Sequence, residues 1–422
     1  MKKTYLCSLV TFLLSVIASP AAAAIRYNVT DLGTLPGYES SRALSINNNG
    51  QIVGWATDMG YPEVSRAILF DSTGKGNNVD FGTLGGLRSY ALAINNRGQI
   101  VGAADSNDPD LSRQPWHPTI FDPCGPANNI KLGNNGRAWS INDYGQIVGD
   151  MLNTSGFGRA TIFDVNDPNN NTLLGTIDGF DNSVARSINN IGQIVGHADN
   201  FPLPGERAML FDHTGAGNHV DLGTLGGQYS AAVSINDKGQ IVGAASTTSG
   251  YEHAAIFDPN GPGNNIDLGT LPACNYSVAV SINNQGQIIG WASLEKMVGP
   301  SYAVMFKSNG NVNNINLNDR IDPNLGWSLS GATCINNNGW IVGWGANPDG
   351  FRRAFLLTPA TPGDSEPDRD VDLEDYAILA AAWRSTPADD NWNPFCDISE
   401  LKDNLIDERD LAVFSSNWLA QQ

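Results

Sequence analysis

Seven copies of one nine-residue phrase, Ile-Asn-x-x-Gly-Gln-Ile-Val-Gly, begin at Ile46, Ile94, Ile141, Ile188, Ile235, Ile282 and Ile335, in steps of 48, 47, 47, 47, 47 and 53 residues. A period that long marks stacked supersecondary units, each too small to bury its apolar face alone. The recurring residues therefore build a scaffold, and what departs from the repeat is where function is to be sought.

Within a repeat the apolar residues alternate with a period of two, as half-buried strands require. Residues 43–46 predict one short strand and 51–56 the next. Asn47-Asn48-Asn49-Gly50 between them fits a type I turn closed by a left-handed residue. Gly recurs there as Gly50, Gly98, Gly145, Gly192, Gly239, Gly286 and Gly339, because only glycine enters that region without steric cost. Residues 66–70 and 79–84 predict a third and a fourth strand. Four short antiparallel strands per period are the make-up of a propeller blade. The last repeat ends at Leu357 with no fourth strand after it, whereas residues 27–35 precede the first repeat and match 220–225 and 266–271. The expected fold is all-β, a seven-bladed propeller over 25–359 closed by its N-terminal strand, which leaves no unpaired edge. A solenoid is the runner-up, and would need capping repeats.

Residues 1–24 carry Lys2 and Lys3, an apolar run, and Ser19-Pro20-Ala21-Ala22-Ala23-Ala24. This reads as a secretory signal peptide too short to span a membrane, so a secreted, extracellular or cell-surface protein is expected, not a membrane-spanning one. Cys124, Cys274, Cys334 and Cys396 have neither disulfide-framework nor zinc spacing. The net charge of −19 argues against nucleic acid as a partner, since phosphates need basic surface.

The segments Leu-Gly-Thr-Leu-Gly-Gly, Ser-x-Ala-x-x-Ile-Asn, Gly-Gln-Ile-Val-Gly and Arg-Ala-x-Leu-Phe resemble the HAF family of extracellular repeats over nearly all of the expected ring. The resemblance implies secretion and a propeller-like fold, and no particular activity.

After a Pro-rich linker at 360–363 the pattern changes to helix, over 373–383 and 408–418. From Gly363 to Gln422 there are 15 acidic against 4 basic residues. Asp364, Glu366, Asp368, Asp372 and Asp375 fall at positions 1, 3, 5, 9 and 12 of a calcium loop, with Asp370 offering a carbonyl at position 7. Asp397, Ser399, Asp403, Asp407 and Asp410 repeat the register with Leu405 as the carbonyl position, although two extra residues separate its third and fifth positions. The sixth position is Asn404 in the second loop and Arg369 in the first. Spaced acids can simply solvate a helical appendage; the same register twice favours two Ca²⁺ sites. The duplicated loop-helix over 364–422 resembles a type I dockerin domain. That resemblance implies a tether to a cohesin-like domain or cell-surface scaffold, in the company of polysaccharide-degrading enzymes.

On the ring, the segments joining second to third strands supply Tyr61, Trp116, Phe157, Phe201, Tyr251, Tyr302 and Phe351, and end on the often basic Arg66, His117, Arg159, Arg207, His253, Tyr302 and Arg353. Aromatic faces beside cations suit a sugar polymer, an anionic one above all. The plainer alternative is that the cations pair with acids of neighbouring strands and the rings cover blade edges. Trp55, Trp291 and Trp344 are expected to pack between blades, and the Asp of Leu-Phe-Asp to form turns. No catalytic constellation is legible. The leading expectation is a non-enzymatic propeller that binds an extracellular carbohydrate or protein. A polysaccharide hydrolase or lyase, with clustered acids at the ring mouth, and a structural surface protein are the alternatives.

Overall fold

The structure, a computed structural model, describes residues 26–58, 64–107, 116–200, 203–214, 217–296, 298–310, 313–364, 371–393, 396–399 and 403–420. The chain divides into two compact units, Arg26–Pro359 and a second that holds Ala360–Gln422. The expected signal peptide, Tyr61, Phe201, Glu366, Asp368, Arg369 and Asp370 lie outside the described residues.

The first unit is almost entirely antiparallel sheet. In the first repeat Ser40–Ile46, Ile52–Asp58, Val64–Phe70 and Val79–Asp80 pair in sequence order, and six such four-stranded sets follow one another. The seventh takes its outer strand from the other end of the unit, where Tyr27–Asp31 pairs with Arg352–Pro359 from Tyr27↔Pro359 to Asp31↔Phe355. The first strands run further than alternation of apolar residues predicts, because buried serines extend them. Ser41 Oγ donates to Gly33 O at 2.5 Å and accepts from Ala354 N at 3.0 Å, and the same pair of bonds joins Ser277 to Gly269 and Ala254. The seventh repeat thus meets the first through the bonds that join other neighbours. The fourth strand of the first repeat is shorter than expected, at Val79–Asp80; beyond it Gly82 is left-handed at φ 64° and donates its N–H to the Asp80 carboxylate at 2.7 Å.

Two glycines of the phrase have different reasons. Gly50 has φ 77°, and its six counterparts lie between 75° and 84°, the left-handed turn that the sequence predicts. Gly54 is extended, but a Cβ there would lie 2.0 Å from Arg42 O, where the first strand bulges between Ala43 and Ser45. The core is divided among the interfaces: Ala43, Ile46 and Ile52 pack with Val342 and Leu356 of the seventh repeat, and Val53 packs with Ile94, Ile100 and Phe121 of the second.

In the second unit, α1 (Leu373–Ala381) and α2 (Glu408–Ala420) enclose a small core of Val371, Leu379, Ile398, Ile406 and Phe414. The chain after α1 and the chain before α2 exchange Arg384 N→Ile406 O and Ile406 N→Ser385 O. No helix among the described residues is long and apolar enough to cross a membrane.

Candidate functional site

The expected calcium positions that are described fall into two groups. Asp364 and Asp375 of the first loop, and Asp397, Ser399 and Asp410 of the second, are buried. The last loop position also caps its helix in each case: Asp375 Oδ2 accepts Asp372 N–H at 2.9 Å, and Asp410 Oδ2 accepts Asp407 N–H at 2.9 Å. Asp410 Oδ1 takes two further backbone donors, Ile398 N and Ser399 N. Asp372 and Asp407 accept from the amides of Glu374 and Arg409, the ordinary work of N-caps. Asp403 is held by Arg409 at 2.6 Å and accepts Leu405 N–H, and Asn404 is left-handed at φ 59°. Among the described residues no three His, Cys, Asp or Glu side chains come together as a metal site.

The basic rim positions act mainly between repeats. Arg66, Arg159, Arg207 and Arg353 each donate to a backbone carbonyl of the following repeat, those of Leu87, Asp181, Gln228 and Glu39. Arg66 and Arg207 also approach Asp80 and Asp221 at 3.8 and 3.9 Å, and His253 Nδ1 lies 3.0 Å from both oxygens of Asp267. Phe157, Tyr251, Tyr302 and Phe351 are exposed, with Arg159 over Phe157 and Arg353 over Phe351. Trp116 and His117 are buried, and His117 Nε2 lies 2.9 Å from Ser106 Oγ. This places His117 in the packing, away from any ligand-facing rim.

A more continuous arrangement runs across the first, second and third strands of successive repeats, at positions where the repeats differ. Arg352 and Arg42 lie over Trp344, at 5.1 and 4.3 Å from the ring centre. Arg42 also lies 5.5 Å from Trp55, which meets Tyr90 edge-on, and Tyr90 in turn packs 5.0 Å from Trp116. Arg137 spans Trp116 and Trp139 at 5.9 and 5.4 Å, and Arg186 covers Trp139 at 4.1 Å. The result is a ladder of cationic and aromatic side chains across the seventh, first, second, third and fourth repeats, with Trp55, Tyr90 and Trp116 in succession at its middle. Trp55 and Trp344 do reach the next repeat, as expected, but through Tyr90 and Arg42 and while half-exposed. Arg42, Tyr90, Arg137, Trp139 and Arg186 were not legible as site residues; the available signal was that they occupy variable positions on either side of a constant Ala in the first strand.

The ladder ends at a cluster of ionisable groups. Asp150 accepts Trp139 Nε1–H at 2.5 Å; burial pushes its pKa up, against that bond and the charges of Arg137 and Arg186. His197 Nε2 lies 3.6 Å from Glu206 Oε1 and 3.8 Å from Asp199 Oδ2. Burial, reinforced by Arg186, pushes His197 down to about 3, and burial pushes Glu206 up to about 6. Clusters of this kind are found at functional sites more often than elsewhere.

At the other end of the inner strands the phrase forms two closed circuits. Each phrase asparagine donates Nδ2–H to the carbonyl of the next, from Asn47→Asn95 at 2.9 Å round to Asn336→Asn47 at 3.0 Å. The following residues form a second circuit from Asn48 N→Asn96 Oδ1 to Asn337 N→Asn48 Oδ1. They line a polar cavity of about 220 Å³. Burial would raise Asp143 there, but its bonds from Asn96 and Asn190 hold it below the usual carboxylate range. With its donors and acceptors spent on one another, this end reads as a fastening.

No family model matches the chain, and no curated protein matches it. Solved structures similar to it include a TolB-like protein from Agrobacterium tumefaciens, at 11% identity and TM-score 0.40 over 80% of this chain and 100% of that one. A gluconolactonase from Xanthomonas campestris gives 10% and 0.38 over 81% and 96%, and a puromycin-hydrolyzing peptidase of Mycobacterium tuberculosis gives 11% and 0.47 over 81% and 53%. At such values the function rests on the geometry of this chain alone.

Proposed function

We propose that the chain is a secreted, ligand-binding, seven-bladed β-propeller of the HAF type, with a calcium-dependent dockerin-like module that tethers it to a cohesin-like partner. The observation that carries the binding reading is the ladder from Arg352 to Arg186: the half-exposed indoles of Trp344, Trp55 and Trp139, with guanidiniums beside them and the buried Trp116 between, form a long amphipathic strip suited to the apolar faces and hydroxyls of a carbohydrate chain. Blade number and closure are supported by the seven four-stranded sets and the pairing of Tyr27–Asp31 with Arg352–Pro359. Calcium is supported by the burial of carboxylates at the first and last positions of both loops, since buried carboxylates need strong partners and Ca²⁺ takes such oxygens. Secretion rests on the N-terminal sequence.

The test is affinity electrophoresis of the full chain, with calcium, through gels holding different polysaccharides. At least one should retard the protein, and Trp139→Ala or Trp344→Ala should cut that retardation about tenfold while circular dichroism stays unchanged. No retardation in any gel overturns the binding reading. The hydrolase or lyase reading draws on the Asp150, His197 and Glu206 cluster; release of reducing or unsaturated ends that Glu206→Gln abolishes would establish it.

A further inference from the structure

Two groups of arginines on the ring stand apart. Arg66, Arg88 and Arg207 lie within 4.0 Å of Asp80, Asp105 and Asp221. In contrast, among the described residues no carboxylate oxygen comes within 4.0 Å of Arg42, Arg137, Arg186 or Arg352, and none of these four donates a side-chain hydrogen bond. Arg42 is the sharpest case. Its Nε is buried without an acceptor, its guanidinium is stacked on Trp344 and Trp55, and burial together with Arg352 pushes its pKa down to about 10. Arg137 and Arg186 share the field of Asp150, and Arg186 that of Glu206 and Asp199 as well, whereas the charge that Arg42 feels is that of another cation, Arg352; in a chain of net charge −19, cations without an ion-pair partner on one connected strip ask for an anion from outside.

A stacked guanidinium is weakly hydrated and already oriented, and its free edge matches a carboxylate with two parallel hydrogen bonds. At one end of the strip, Asp150 and Glu206 lie close enough to Arg186 to feel its charge, and their oxygens can accept from hydroxyl groups. Alternating carboxylates and hydroxyls along a chain are the chemistry of an acidic polysaccharide. A polyphosphate fits less well, because the acidic protein repels its dense charge.

We infer that the ladder binds a polyuronate, with Arg42, Arg137 and Arg186 taking its carboxylates. The inference rests on the ligand-binding reading above and narrows it to one class of ligand. It is tested by calorimetry on the full chain with polygalacturonate, alginate and hyaluronate, each beside its methyl-esterified form, with neutral xylan and oligothymidylate as further arms. At least one acid polymer should bind about tenfold more tightly than its ester and weaken as salt is added. Arg42→Met and Arg186→Met, which keep an apolar stem on the indoles, should bring the two forms level; Arg42→Gln serves if the methionine variant does not fold. Equal affinity for acid and ester, or preference for oligothymidylate, overturns the inference. The first of these, or binding of xylan alone, leaves the carbohydrate reading standing; binding of no polysaccharide removes both.

Discussion

Glu206 shows how one residue's surroundings set its chemistry. Burial, helped by the charge of Asp199 and opposed by that of Arg186, raises its pKa from 4.5 to about 6. The folded state therefore keeps a proton through a window in which the unfolded chain has released it, so this group's contribution to stability falls as pH rises from about 4.5 to about 6. Glu206→Gln should raise the melting temperature relative to wild type more at pH 8 than at pH 4. A gap that is the same at both pH values would mean that the carboxyl is not perturbed. His197, pushed down from 6.5 to about 3, acts in the opposite direction, because the unfolded imidazole takes a proton in that window that the folded one refuses; comparing Glu206→Gln with wild type at each pH isolates the carboxyl.

At the scale of the element, the two glycine positions of the phrase, taken from different repeats, separate conformation from space. A Cβ at Gly192 meets nothing within 4 Å but sits at φ 84°, whereas one at Gly54 runs into Arg42 O. Gly192→Ala should cost about 1–2 kcal/mol, a left-handed penalty alone, and Gly54→Ala about 3 kcal/mol or more, because the bulged strand has to move; chemical denaturation of both variants checks the order. In the second unit α1 and α2 depend on carboxylates that serve both as caps and as expected calcium positions. EDTA should speed hydrogen exchange over 371–420 while the strands of Arg26–Pro359 keep their protection. Unchanged exchange there would leave Asp375 and Asp410 as caps only.

For the whole molecule, the asparagine circuits pass through every junction, and a serine bond joins the seventh repeat to the first as it joins the first to the second and the fifth to the sixth. Removing residues 27–35 takes away the outer strand of the seventh set together with Gly33, the partner of Ser41. The loss should lower the melting temperature of the entire first unit in one transition. Fraying confined to the last repeat would show that the junctions act independently.

The sequence by itself determined the repeat, its turns and the displaced strand, because these rest on local rules: a period of two, a left-handed glycine and a missing partner strand. It also marked the acidic tail and the change to helix. It could not determine which variable residues meet. Arg42 and Trp344 stand 302 positions apart in the chain, and Trp116, read as a rim residue, lies buried beneath Arg88 and Arg137. The packing of successive repeats brings Arg42 to Arg186 and their indoles into one strip, and the return of the last repeat to the first adds Trp344 and Arg352, since stacking is a short-range contact that no spacing within one repeat encodes.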